Sequence, residues 1–144
     1  MVPSNRPVCL ITGGSSGIGL ATAQRFAEAG YDLAICGRDP QRLADAVREL
    51  DTNDVVIHDK STDISIPGNA RAVVLETIEQ FGRLDVLVNN AGFAPKAPID
   101  EFDGDDMRLA VAVNIEAVFQ TIRSAWAALQ ASRGVIVNLS LIHI

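Results

Sequence analysis

Eight residues, Thr12, Gly13, Gly14, Ser15, Ser16, Gly17, Ile18 and Gly19, join a short apolar run to a stretch of helical periodicity. A turn of this kind gathers free backbone N–H groups and the positive end of a helix dipole at one point, which suits a pyrophosphate. Gly13 lets the chain turn sharply, Gly17 lets the backbone approach phosphates, and Gly19 lets the helix lie close to the strand. Ser15 and Ser16 add hydroxyl donors for phosphate or ribose. The glycine spacing is G-x-x-x-G-x-G and no Gly-Lys-Ser/Thr comes after it, so nothing supplies the lysine of a P-loop NTPase.

Other residues carry chemistry at later points. Asp63 and Ile64 come after the third apolar run, and Asn89, Asn90, Ala91 and Gly92 after the fourth. Asn114 interrupts an apolar helical stretch, and residues 134–138 read Gly-Val-Ile-Val-Asn. Singly, Asp63 reads as a solvated loop carboxylate, Asn89-Asn90 as turn residues, and Asn114 as a satisfied core amide. Together with the glycine turn, in order over residues 7–138, they resemble the short-chain dehydrogenase/reductase family. The turn resembles its T-G-x-x-x-G-x-G motif, and Asn89-Asn90-Ala91-Gly92 resembles its N-N-A-G motif. The resemblance implies a nicotinamide dinucleotide held by Gly13, Ser15, Ser16, Gly17, Ile18, Gly19, Asn90, Ala91 and Gly92. It also implies that Asp63, with Ile64, bonds the adenine and that Asn114 is an active-site residue. Residues 134–138 would lead to the catalytic serine. The substrate implied is a small carbonyl compound or alcohol, and the whole protein would be a homodimer or homotetramer.

The choice of cofactor turns on the end of the second apolar run. A site that prefers NAD(H) places an acid there, bonded to the ribose 2′-OH. Here Ala34, Ile35, Cys36 and Gly37 are succeeded by Arg38, whose guanidinium suits the 2′-phosphate of NADP(H). NADP(H) is the favoured expectation. Asp39 stands next to Arg38 and could reach the ribose, so NAD(H) stays open.

These residues need a frame that alternates strand and helix. Short apolar runs at 7–12, 31–36, 55–58, 84–88 and 134–138 read as strands. Between them, helical spacing spans 18–29, closed by Gly30, then a helix opened by Pro40 with Leu43, Ala46, Val47 and Leu50 on one side. Pro67 opens another, with Ala70, Val73, Val74, Thr77, Ile78 and Phe81 on its face and Gly82 at its end. One long helix is expected over 105–132, acidic at its start and basic at its end, as the helix dipole favours. Unbroken alternation of this kind gives an α/β fold of Rossmann type, a doubly wound parallel sheet ordered 3-2-1-4-5. In the family, such a long helix packs in a subunit interface; Val111, Ile115, Val118, Ile122, Trp126 and Leu129 are its apolar residues here.

The totals narrow the remaining choices. The 144 residues suffice for one domain, and a net charge of −6 argues against a nucleic-acid surface. No apolar run approaches the roughly 20 residues of a membrane span, and no signal core lies behind Arg6, so a cytoplasmic protein is expected. Cys9 and Cys36, both within apolar runs, are expected to be buried reduced thiols, and no metal site is expected.

The family's Tyr-x-x-x-Lys pair is not found: the single tyrosine is Tyr31, and neither Lys60 nor Lys96 has a tyrosine four residues before it. The family's serine position aligns with Leu141, and Ser140 falls one residue early. The string Leu139-Ser140-Leu141-Ile142-His143-Ile144 is the translation of a transposon-end adapter used in sequencing libraries. Residues 1–138 are therefore expected to be the native, partial dinucleotide-binding domain and 139–144 an adapter read-through in which His143 has no role. The parent is then an NADP(H)-dependent oxidoreductase and this fragment is catalytically incompetent. A non-catalytic dinucleotide-binding or regulatory protein is the alternative, and an S-adenosylmethionine-dependent methyltransferase ranks last, having no role for N-N-A-G.

Overall fold

A computed structural model describes residues 5–51 and 54–140. Residues 141–144, including Leu141 and His143, lie outside the described residues. Five parallel strands, β1 (Val8–Thr12), β2 (Asp32–Gly37), β3 (Ile57–Ser61), β4 (Val86–Asn89) and β5 (Val135–Asn138), form one sheet in the order β3-β2-β1-β4-β5. The expected strand order is the observed one.

The two-residue period of the strands divides the core. Cys9 and Ile11 of β1, with Leu33 and Ile35 of β2, face α1 (Gly17–Glu28) and α2 (Pro40–Leu50), where Ala23, Ala27, Leu43, Ala46 and Leu50 meet them. Val8, Leu10, Ala34 and Cys36 point the other way, onto α3 (Asn69–Phe81) and the last helix, through Val73, Val74, Phe81, Ala125 and Leu129. Both cysteines are buried and unpaired by disulfide. Burial pushes both thiols up, Cys36 to about 11, so both stay protonated and unreactive.

Three expected elements differ from the observed ones. The third strand runs over Ile57–Ser61 rather than 55–58, because edge pairing with β2 (Leu33 opposite Ile57, Gly37 opposite Ser61) recruits polar residues that carry no apolar signal. The third helix begins at Asn69 rather than Pro67, since Gly68 takes a left-handed conformation (φ 90°) just before it. The long helix is not uniform. It consists of α4 (Gly104–Val111), a π-helical segment Ala112–Glu116, and α5 (Ala117–Ser132). Along it Leu129 is buried in the core, whereas Ile115, Phe119 and Trp126 face outward. None of the described helices is long and apolar enough to cross a membrane.

Candidate functional site

The strand carboxyl ends hold the candidate residues because each ends in a turn that its neighbours lock. Thr12, the last residue of β1, uses its hydroxyl oxygen to accept from the backbone N–H groups of Asn90 and Ala91, both at 3.1 Å. The Asn90 side-chain amide returns the contact, donating to the carbonyls of Thr12 (2.9 Å) and Gly13 (3.1 Å). The glycine turn and the N-N-A-G loop are thereby one unit. Gly13 takes φ 67°, and a Cβ there would meet the Ala91 backbone at 3.0 Å. A Cβ on Gly19 would collide with the Gly13 carbonyl and the Asn90 amide. The space Gly19 leaves is therefore filled by the turn itself and by Asn90, rather than by the strand expected from the motif.

The start of α1 is built to accept an anion. Ser16 is the N-cap with extended backbone, yet its side chain makes no capping hydrogen bond, so the first N–H groups of the helix are not consumed by it. Both hydroxyls of the turn, on Ser15 and Ser16, line a cleft of about 740 Å³. Gly37 lies beside Ser15: a Cβ on Gly37 would come within 2.6 Å of the Ser15 hydroxyl oxygen.

Across the cleft stand the ends of β2 and β3. Arg38 is exposed, and Asp39 caps α2 by accepting from the N–H groups of Gln41 (2.9 Å) and Arg42 (3.1 Å). Thr62 donates its N–H to the Gly37 carbonyl at 2.9 Å, which brings Thr62, Asp63 and Ile64 to the cleft wall. Asp63 accepts from the Ser65 N–H at 2.9 Å. Burial alone would push its carboxyl up, but the Ser65 hydrogen bonds and the Arg38 charge hold it below the usual carboxylate value. It is ionised at neutral pH and its carboxylate accepts hydrogen bonds.

All the candidate cofactor-binding residues line this one cleft except Gly17, which sits at the helix start with φ 54° and open space around it. Asn114 is not on the lining. Its amide is occupied with Phe93, accepting from the N–H (2.9 Å) and donating to the carbonyl (2.7 Å), and it is the π-helical turn that carries it. Phe93 and Val113 line the cleft instead. Asn114 thus holds the chain just beyond Gly92 against the helix. Tyr31 stands at the opposite end of β2, edge-on to Phe26 with ring centroids 5.0 Å apart.

Sequence reasoning missed Gly37, Thr62 and Arg42 on the lining. Arg42 carried a signal, since Pro40 at the helix start puts it in the first turn, four residues after Arg38. Thr62 carried none, as it depends on the β2–β3 register.

The cleft fits a dinucleotide on the geometry of this chain: a helix start with no side-chain cap, backbone approaches that only glycine allows, and a rim of two arginines and two aspartates. Comparison with known proteins agrees. The family model described as short chain dehydrogenase matches residues 7–143. L-fucose dehydrogenase of Bos taurus is 33% identical over 134 residues, 92% of this chain and 48% of that protein. An alcohol dehydrogenase of the archaeon Thermococcus sibiricus, solved with 5-hydroxy-NADP, superposes with a TM-score of 0.87 at 29% identity, over 93% of this chain and 57% of that one. An NAD+-bound xylitol dehydrogenase gives 0.84 at 29% identity, over 92% and 52%. The chain spans about half the length of the curated relatives it matches. On the family model and on the shared fold, the chain belongs to the short-chain dehydrogenase family.

Proposed function

We propose that this chain is the dinucleotide-binding part of an NADP(H)-dependent oxidoreductase that interconverts a small carbonyl compound and its alcohol. The observation that carries the reading is the single cleft in which the glycine turn, Arg38, Asp63 and the Asn90–Gly92 loop converge at the strand carboxyl ends. When bound, the nicotinamide supplies two-electron hydride chemistry.

The residues of this chain bind and orient. The N–H groups at the start of α1 and the Ser15 and Ser16 hydroxyls receive the pyrophosphate. Asp63, held ionised, accepts from the adenine amino group beside Ile64. Arg38 faces the 2′-phosphate of the adenosine ribose. Ala91 and Gly92 wall the nicotinamide side, and Asn114 fixes that wall by gripping the Phe93 backbone at both its polar atoms. Asn114 acts here as a positioning residue. Titration of the chain with NADPH, followed by reduced-nicotinamide fluorescence, tests the reading. Saturable binding that 2′-phosphorylated adenosine competes away is the expected result. Folded chain that binds no dinucleotide overturns it.

One observation favours a second reading, a dinucleotide-binding or regulatory protein without chemistry. The one tyrosine of the chain packs on Phe26 at the far end of β2, so no tyrosine of these 144 residues serves as proton donor in the cleft. Finding Tyr-x-x-x-Lys in the gene beyond codon 138 would remove that reading.

A further inference from the structure

We propose that Arg42 is a second specificity-determining residue of the dinucleotide site, sharing the 2′-phosphate with Arg38 while Asp39 is withheld from the ribose. The proposal rests on the dinucleotide reading above and deepens it.

Asp39 is the residue that could make the site prefer NADH, and its carboxylate is already held by the chain, through hydrogen bonds at Oδ1 and a longer ion-pair contact at Oδ2. Oδ1 accepts from the N–H groups of Gln41 and Arg42, and Oδ2 lies 3.6 Å from Nε of Arg42. To accept from ribose hydroxyls it would have to give up the Arg42 contact at Oδ2 or the cap of α2 at Oδ1. The other acid of the rim, Asp63, accepts from the Ser65 N–H at one oxygen and serves the adenine in the reading above, not the ribose. Arg38 and Arg42 each stand near one of these acids, and a phosphate dianion would compete with them for the guanidinium donors.

Arg38 and Arg42 both line the cleft, Arg38 just before the N-cap of α2 and Arg42 in its first turn, with Gly37 leaving room beside Ser15. Arg42 turns its Nε toward Asp39, and the guanidinium keeps its terminal N–H donors for an acceptor in the cleft. It lies in the first turn of α2, where the helix dipole also favours an anion. A phosphate dianion here meets two guanidinium groups, whereas a bare 2′-OH gains nothing from the second.

The test is calorimetric titration of the chain with NADPH, NADH, 2′,5′-ADP and 5′-AMP. The unmodified chain is expected to prefer the two 2′-phosphorylated ligands. Arg42→Gln is expected to weaken those two by about ten-fold, the size of one solvent-screened charged hydrogen bond, and to leave NADH and 5′-AMP within about two-fold. Arg42→Lys, which keeps the charge and loses the fork, should fall between. Asp39→Asn keeps a capping side chain and is expected to leave NADH binding unchanged. An unaltered NADPH-to-NADH ratio in Arg42→Gln, or weakened NADH binding in Asp39→Asn, overturns this proposal alone and leaves the dinucleotide reading standing. A preference of the unmodified chain for NADH also overturns it. Failure of the folded chain to bind any of the four overturns both.

Discussion

At the scale of single residues, the site is set by places where a side chain is forbidden and places where one is already engaged. Gly19 has the Gly13 carbonyl and the Asn90 amide where a Cβ would stand, and neither is the free end of a flexible chain. Gly19→Ala is therefore expected to destabilise the fold by about 1–3 kcal/mol, as overpacking does, and to weaken dinucleotide binding, measured by urea denaturation and NADPH titration. Gly17→Ala meets no atom but must hold a left-handed backbone, so its cost should be nearer 1–2 kcal/mol and come from strain alone. Arg38→Ala is expected to erase the preference for NADPH, at a cost below the roughly 1.5–3 kcal/mol of a charged hydrogen bond because the side chain is exposed. Equal titration curves for NADPH and NADH in the unmodified chain would contradict it. The place of Arg38 on the cleft was legible in the sequence because it comes directly after a strand end. The role of Asp39 was not, because capping and ribose binding require the same residue type, and only the position of α2 decides between them. Asn114 was legible as a motif residue but not in its contacts, since nothing local couples it to Phe93, 21 positions earlier.

At the scale of elements, the joint between β4, β5 and α5 rests on a polar chain buried at Thr121 and Asn89 and exposed at Asn138. The Thr121 hydroxyl shares its one proton between the Asn89 side-chain oxygen (2.7 Å) and the Val118 carbonyl (2.8 Å), and the Asn89 amide nitrogen donates to the Asn138 side-chain oxygen (2.8 Å). Both Thr121 and Asn89 are buried, so Thr121→Val leaves a buried acceptor unpaired at nearly unchanged volume. The expected loss is about 1–3 kcal/mol in urea denaturation, and an unchanged midpoint would show that Asn89 finds another donor. Element types were legible from periodicity, but the π turn within 104–132 was not: one extra residue in a turn leaves composition untouched and only rotates the helical turns after it. Ile115, Phe119 and Trp126 are exposed on the outer face of the helix, whereas Leu129, counted in the interface stripe from sequence, is buried in the core. The proposal that the whole protein is a homo-oligomer through this face predicts that Phe119→Lys shifts it toward monomer in analytical ultracentrifugation. Unchanged mass would exclude this face as the interface.

At the scale of the molecule, the strand order was legible because strand–helix alternation with right-handed crossovers leaves few arrangements, and the glycine turn marks where the order reverses. The same order leaves β5 at an edge, with Val135 and Val137 exposed and, among the described residues, no strand on its outer side. Apolar edges of this kind pair with other chains, so self-association that rises with concentration is expected in light scattering. The proposed chemistry makes a further demand on the molecule. Hydride transfer to a carbonyl leaves negative charge on oxygen, and a positioned proton donor is typically worth about 10²–10⁴ in rate. This chain brings to its cleft hydroxyls, amides, two guanidiniums and an ionised carboxylate; Tyr31 is at the far end, and the Asn114 amide does not exchange protons near neutral pH. The 144-residue polypeptide is therefore expected to bind NADPH and to oxidise it no faster than buffer with any ketone or aldehyde. Restoring a single residue, as in Leu141→Ser, is expected to change nothing, because groups that act as a unit fail together. Fusing a family-like C-terminal half that carries Tyr-x-x-x-Lys is expected to do two things at once: cover β5, which light scattering reports as lost self-association, and restore NADPH oxidation, which absorbance at the nicotinamide band reports. Recovery of monodispersity without activity would separate the two effects and favour the non-catalytic reading. Turnover by the unfused chain that survives Asn114→Ala would show that the proton comes from a group not placed in this cleft.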